Sequence, residues 1–310
     1  MTALLFSFLQ MMVLIILGFI LRKTRVIDER VQTGLSNILV HAVLPFNLIS
    51  SSQYEYSREM ILALIAVAGA ALCYFAFSII GMRIMIGKMK MEDQEKRVVL
   101  MTSVFMNTGF VGFPLLGAIF GAKGLLLASC YNMVFNIFMY TYGEHKLSRQ
   151  KANVRNLLLN PVTLATIAAL VLFIIPWRMP VRLKDTIDIV GNMTVPLAMI
   201  MIGSTLTTVD FKKLVTDKLT YLSTAMRLII FPAIMLGAVI LVRHYVHMMP
   251  VTATTIVMMT ALPCGSMNVI FSEKFNCAPK LCARIFAQTV VVMIATIPFF
   301  LWVCTKLFGN

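Results

Sequence analysis

Two asparagines stand among helix breakers at two separate places in this 310-residue chain. The first cluster reads Asn107-Thr108-Gly109-Phe110-Val111-Gly112-Phe113-Pro114, the second Leu262-Pro263-Cys264-Gly265-Ser266-Met267-Asn268. Proline removes a ladder hydrogen bond and glycine adds backbone entropy, so neither stretch favours an unbroken helix. A half-helix that starts at such a break presents unpaired N–H groups and the positive end of a dipole, a seat for a carboxylate. A half-helix that ends there presents free carbonyls, which can hold a cation or an amide donor. Asn107 and Asn268 both donate and accept, which suits them to bridge the breaks and to touch a guest. A pair of proline kinks healed by neighbouring helices is the plainer reading.

The charged residues narrow this chemistry. None of the 13 acidic residues falls in the middle of an apolar stretch, where a proton or cation exchanger generally needs one. Arg227 does lie deep, nine residues past Lys218, which is roughly 14 Å along a helix. A mid-span arginine costs about 2.5–3.5 kcal/mol on insertion scales. It either draws an anion into a cavity, or it snorkels or is tied to carbonyls. His41 has two readings also, a group titrating near neutral pH or a neutral residue bonded locally. Asn132 and Asn136, at i and i+4, share one helix face and either line a cavity or join helices. The six cysteines and four histidines show no metal-ligand spacing, and the 24 methionines read as adaptable packing. No paired carboxylates, His-Glu-x-x-His or Gly-x-Ser-x-Gly motif marks an enzyme. No cofactor is expected, and sodium or a proton stays open as a coupling ion.

These residues need elements to hold them, and composition names the kind. At 59 % hydrophobic and 13 % charged, the chain departs far from a soluble domain, which is about 25 % charged. Charge-poor stretches at 3–21, 35–52, 60–81, 98–120, 124–143, 157–176, 185–207, 219–242, 250–272 and 285–305 each approach the roughly 20 residues that a membrane span requires. The first stretch is not a cleavable signal, because its basic residues follow the apolar run. Connections after odd-numbered spans carry 19 of the 27 Lys and Arg residues and the other side 7, with Arg227 inside a span. That bias places the basic loops in the cytoplasm and both termini outside. Trp177 and Trp302 then fall at the outer boundary, where aromatic belts occur. The net charge of +14 is explained by topology rather than by nucleic acid.

Span starts at 3, 60, 98 and 124 recur near 157, 219, 250 and 285. Five spans per half invert the second half relative to the first, the organisation of many secondary transporters. The expected fold is therefore an all-α polytopic membrane protein of ten transmembrane helices in two inverted five-helix repeats. The first repeat is 1–143, a short cytoplasmic linker 144–156, and the second repeat 157–310. The two broken stretches occupy matching places, spans four and nine.

With these motifs the chain resembles the auxin efflux carrier family, particularly its short prokaryotic members often called malate or malonate permeases. The carrying residues are Gly18…Arg22-Lys23, His41-Ala42-Val43-Leu44-Pro45, the two broken clusters, Pro196-Leu197-Ala198 and Ile297-Pro298. The resemblance implies that spans four and nine cross at their breaks, as in bile-acid-carrier-like folds. It implies a scaffold of spans 1, 2, 6 and 7 that can dimerise, and a moving core of spans 3–5 and 8–10. Crossing positions carry over to Asn107, Pro114, Pro263 and Asn268. Cys264-Gly265-Ser266 departs from the commoner small alanine or valine.

The expectation is a cell-membrane carrier of small organic anions working by alternating access. Thr108, Gly109, Gly112, Pro114, Asn132, Asn136, Arg227, Cys264, Gly265 and Ser266 join Asn107, Pro263 and Asn268 as candidate substrate contacts. A sodium-coupled organic-anion symporter and an anion channel are the rival readings.

Overall fold

The computed structural model describes residues 2–149, 154–175, 177–207 and 217–309. Residues 150–153 of the expected linker, and the loop residues Asp210, Lys212 and Lys213, lie outside the described residues. Secondary structure among the described residues is helical apart from one isolated β-bridge. Besides a short helical stretch at Val154–Leu158, the helices among the described residues are α1 (Thr2–Lys23), α2 (Glu29–Ser51), α3 (Arg58–Gly87), α4 (Asp93–Val104), α5 (108–120), α6 (122–148), α7 (Pro161–Ile174), α8 (Val181–Leu206), α9 (Lys218–Tyr245), α10 (Pro250–Thr260), α11 (Ser266–Lys274) and α12 (Pro279–Phe308). Among the described residues, six stretches are long and apolar enough to cross a membrane: Glu29–Ser51, Arg58–Gly87, Thr108–Ser148, Val181–Leu206, Lys218–Tyr245 and Pro279–Phe308. Their apolar side chains face outward as well as inward; on α3, Leu72, Phe77, Ile80 and Ile84 are all exposed. A helix apolar all round suits lipid or a large core.

Two local features depart from simple helices. The expected loop between spans four and five shrinks to Gly121, whose φ of 58° breaks the run within a single residue and is open to glycine at little cost. Prolines also leave a recurrent mark. Pro45 and Pro232 lack the N–H that would close an ordinary turn, and each is preceded by a π turn, Leu39–Val43 and Met226–Ile230. There the Leu44 and Phe231 N–H groups reach back to the Leu39 and Met226 carbonyls. Such widened turns re-aim side chains and are common at functional positions. Arg227 sits inside the second.

The chain forms two compact units, each drawing on both halves of the sequence. The first comprises Met1–Ile65, Gly109–Met133 and Arg155–Thr208. Within it α1 lies against the second part of α8. A Cβ on Gly18 would strike the Ile200 carbonyl, and one on Gly203 the Ile15 carbonyl, so the backbones touch, as small residues allow in membranes. Asn47 Nδ2 donates to Thr194 Oγ1 at 2.8 Å, and Gln32 Nε2 to Thr205 Oγ1 at 2.9 Å. The Ser50 hydroxyl donates to Asp188, which also pairs with Lys184 at 2.5 Å. A cavity of about 400 Å³ lies beside that pair.

The second unit comprises Ala66–Thr108, Val134–Val154 and Val209–Asn310. Glu92 and Glu95 form a capping box that starts α4, and Asp217 caps α9 by accepting from the Leu219 N–H at 3.0 Å. Both devices satisfy N–H groups that a helix start leaves open. Phe75 stacks on Phe105 and Phe138 with ring centres 5.5 and 5.0 Å apart, fixing the end of α4 within the unit's core.

Candidate functional site

The second cluster breaks its helix at 261–265, whereas the first break falls at 105–107, at the leading edge of its cluster, with Gly109, Gly112 and Pro114 inside the helical run that follows; within the second unit the breaks meet. α4 ends at Val104, and Phe105 turns to extended geometry at φ −97°, ψ 115°. α10 ends at Thr260, and the chain runs through Pro263 to α11 at Ser266. Met106 and Cys264 pair as an antiparallel bridge. The Asn107 N–H donates to the Pro263 carbonyl at 2.9 Å, and the Gly265 N–H to the Phe105 carbonyl at 3.0 Å. Unwound backbone in a bilayer persists only when buried in protein or lining a wet cavity, and these residues satisfy one another.

Side chains complete the crossing. Asn268, fully buried, donates from Nδ2 to the Phe105 carbonyl at 2.9 Å and to Cys264 Sγ at 3.3 Å. Its Oδ1 is a buried acceptor with no partner among the described residues. The Cys264 N–H donates to Thr289 Oγ1 of α12 at 3.1 Å. Gly265 allows the close approach, since a Cβ there would lie 2.7 Å from the Met106 carbonyl oxygen. The same glycine is the N-cap of α11 and supplies no side-chain cap, so by helix geometry the first N–H groups at Ser266 and Met267 have no acceptor within the helix.

Arg227 closes the opposite ends. Its side chain is among the largest fully buried ones in the chain. Nη1 donates to the Tyr74 hydroxyl, to the Val104 carbonyl at 2.8 Å and to the Ser103 carbonyl at 3.3 Å. Nη2 donates to the Thr260 carbonyl. The Tyr74 hydroxyl in turn donates to the Val104 carbonyl at 2.9 Å, and the guanidinium stands 5.4 Å from the Tyr74 ring centre. One cation therefore caps the last turns of both α4 and α10, the carbonyl-bound alternative weighed from the sequence. Thr102 and Ser103 lie 2.8 and 2.9 Å from Ser223 Oγ, joining α4 to α9 one turn from the arginine.

Among the sequence-derived candidates, the structure gathers Asn107, Pro263, Cys264, Gly265, Asn268 and Arg227 into this one site. Thr108 begins α5 and Ser266 begins α11; the first is buried and the second half-buried. Gly109, Gly112, Pro114 and Asn132 belong to the first unit, whereas Asn136 belongs to the second; both asparagines are buried. His41 is exposed, and Nδ1 donates to the Asn37 carbonyl at 3.0 Å. Tyr74, Thr289 and the carbonyls of Phe105 and Thr260 were not foreseen. A tyrosine and a threonine in apolar spans look like packing residues, and a backbone carbonyl carries no sequence signal.

Comparison with known proteins finds membrane transporters. The chain is 26 % identical over 234 residues to an uncharacterized transporter of Methanothermobacter thermautotrophicus, covering 74 % of this chain and 76 % of that one. It is 20 % identical over 303 residues to an uncharacterized transporter of Methanocaldococcus jannaschii, covering 94 % and 96 %. Residues 3–156 and 147–301 match the family described as membrane transport protein. The chain belongs to that family, the auxin efflux carriers, which are transporters and not enzymes.

Proposed function

We propose that this integral membrane protein is a secondary carrier of small organic anions, mono- or dicarboxylates, with its substrate seat at the crossing of the two broken helices. One observation carries the reading. The carbonyl-bearing ends of α4 and α10 are capped by Arg227, while α11 begins beside them without a side-chain cap. The positive end of α11 is thus left to act on a guest, which favours a carboxylate. Asn268 Oδ1, unpaired and buried, suits a donor on the same guest, such as a hydroxyl or a protonated acid. Asn107 and Ser266 complete the contacts, and Thr108, Pro263, Cys264 and Asn136 shape the approach.

In this reading ten spans form two inverted repeats, and spans 3–5 with 8–10 move against spans 1, 2, 6 and 7 in an elevator-type cycle. The scaffold spans offer a dimer surface, the basic loops face the cytoplasm of a cell membrane, and both termini lie outside. The test is a thermal-shift screen of purified protein against a panel of carboxylates, followed by flux in proteoliposomes. A ligand that binds only the folded state raises its stability. Asn107→Ala and Asn268→Ala are expected to stay folded and lose both the shift and the flux; full activity in both variants would reject this seat.

A further inference from the structure

We propose that Arg227 is a tethered cation that fills the seat a coupling sodium ion would otherwise take at the crossing, so that transport proceeds without sodium. The inference rests on the crossing being the transport site.

Carriers with broken helices hold sodium through unwound backbone carbonyls and the C-terminal ends of half-helices. That donor set exists here. The Ser103 and Val104 carbonyls from the end of α4, the Thr260 carbonyl from the end of α10 and the Tyr74 hydroxyl all converge on one place. Each of these oxygens accepts from the guanidinium. Two helix C-termini together carry roughly one negative charge, which a single guanidinium balances. Residues 103–108 and 260–268 contain no Asp or Glu to offset an additional cation. A sodium ion would have to expel a buried guanidinium or sit beside it, and either arrangement places uncompensated positive charge in a low-dielectric interior. The residue acts through the helix ends it holds and is a positioning residue, not a direct substrate contact.

The test melts purified full-length protein in sodium, potassium and choline chloride at equal ionic strength. The wild type is expected to melt at the same temperature in sodium and potassium, and to carry carboxylate equally in both. Arg227→Gln leaves the carbonyl set without its cation. It is expected to melt lower in potassium and to regain about 2–4 °C specifically in sodium, the shift of an ion in roughly tenfold excess over its dissociation constant. A loss of packing alone would lower the melting point without ion selectivity. Arg227→Lys retains the charge and is expected to remain blind to sodium; it decides the matter with the wild type if Arg227→Gln does not fold. A sodium-specific rise in wild type or Arg227→Lys, or none in folded Arg227→Gln, overturns the proposal. Failure of every carboxylate to stabilise the wild type, alongside the expected cation pattern, would reject the substrate seat and leave the role of Arg227 standing.

Discussion

The amide of Asn268 donates to the carbonyl of Phe105 at 2.9 Å, so a side chain from the second broken helix satisfies a backbone group that the first break set free. The two residues lie 163 positions apart in the chain. Asn268→Ala removes one of the two donors to this carbonyl and leaves the Gly265 N–H as the other. The expected cost is about 0.5–1.5 kcal/mol, read as a fall in denaturation midpoint, with transport lost. Asn268→Asp is the harsher change, because it turns the donor into an acceptor facing a carbonyl. An alanine variant as stable as the wild type would show that the bond contributes nothing.

Gly265 tests the closeness of the crossing. A methyl group added there meets the Met106 carbonyl oxygen at 2.7 Å, and backbone, unlike a flexible side chain, yields little. Gly265→Ala is expected to destabilise by about 1–3 kcal/mol, the usual cost of overpacking. Gly237→Ala, with open space around its Cβ position, serves as the control and is expected to match the wild type. Equal melting of both variants would argue that the two breaks are farther apart.

Thr289 supplies the acceptor for the Cys264 N–H. Thr289→Val preserves shape and strands that donor, with an expected loss of about 1–3 kcal/mol. Thr289→Ser keeps the hydroxyl and is expected to lose much less. Hydrogen exchange at the Cys264 amide gives the local readout, and faster exchange in the valine variant alone is the expected pattern.

A pH effect is expected outside the membrane. A hydrogen bond from Arg149 holds the Asp93 carboxyl below its ordinary value, against slight desolvation and with help from Arg97; the ion pairs measure 2.5 and 3.0 Å. A carboxyl lowered in the folded state adds stability above its unfolded pKa, about 3.9. That contribution disappears as pH falls from there through the folded value. Asp93→Asn is therefore expected to melt slightly below the wild type at neutral pH and to converge with it in acid. Added salt should shrink the gap, because exposed charges are screened. A gap that widens in acid would contradict this assignment.

The second break was legible because proline and glycine act locally. Pro263 and Gly265 stand in the second break itself, whereas the first break falls at 105–107, ahead of Gly109, Gly112 and Pro114, which lie inside helical turns. Arg227 shows the limit of that approach. Its depth was readable from the distance to Lys218, but its partners are carbonyls of Ser103, Val104 and Thr260, and every residue has a carbonyl. The π turn ahead of Pro232 that carries it depends on how the helix repairs a missing N–H. Likewise Gly121 makes in a single residue the helix break that span lengths alone had drawn as a short loop. Family resemblance supplied the expectation that the breaks cross; spacing could say only that there were two.

The grip of one guanidinium on α4 and α10 also constrains how the molecule can work. Prising those helices apart would strand an ion in oil, a penalty of about 3–5 kcal/mol by comparison with other severed buried pairs. Under the proposed alternating-access cycle, this knot would travel whole, like a rivet with its plate.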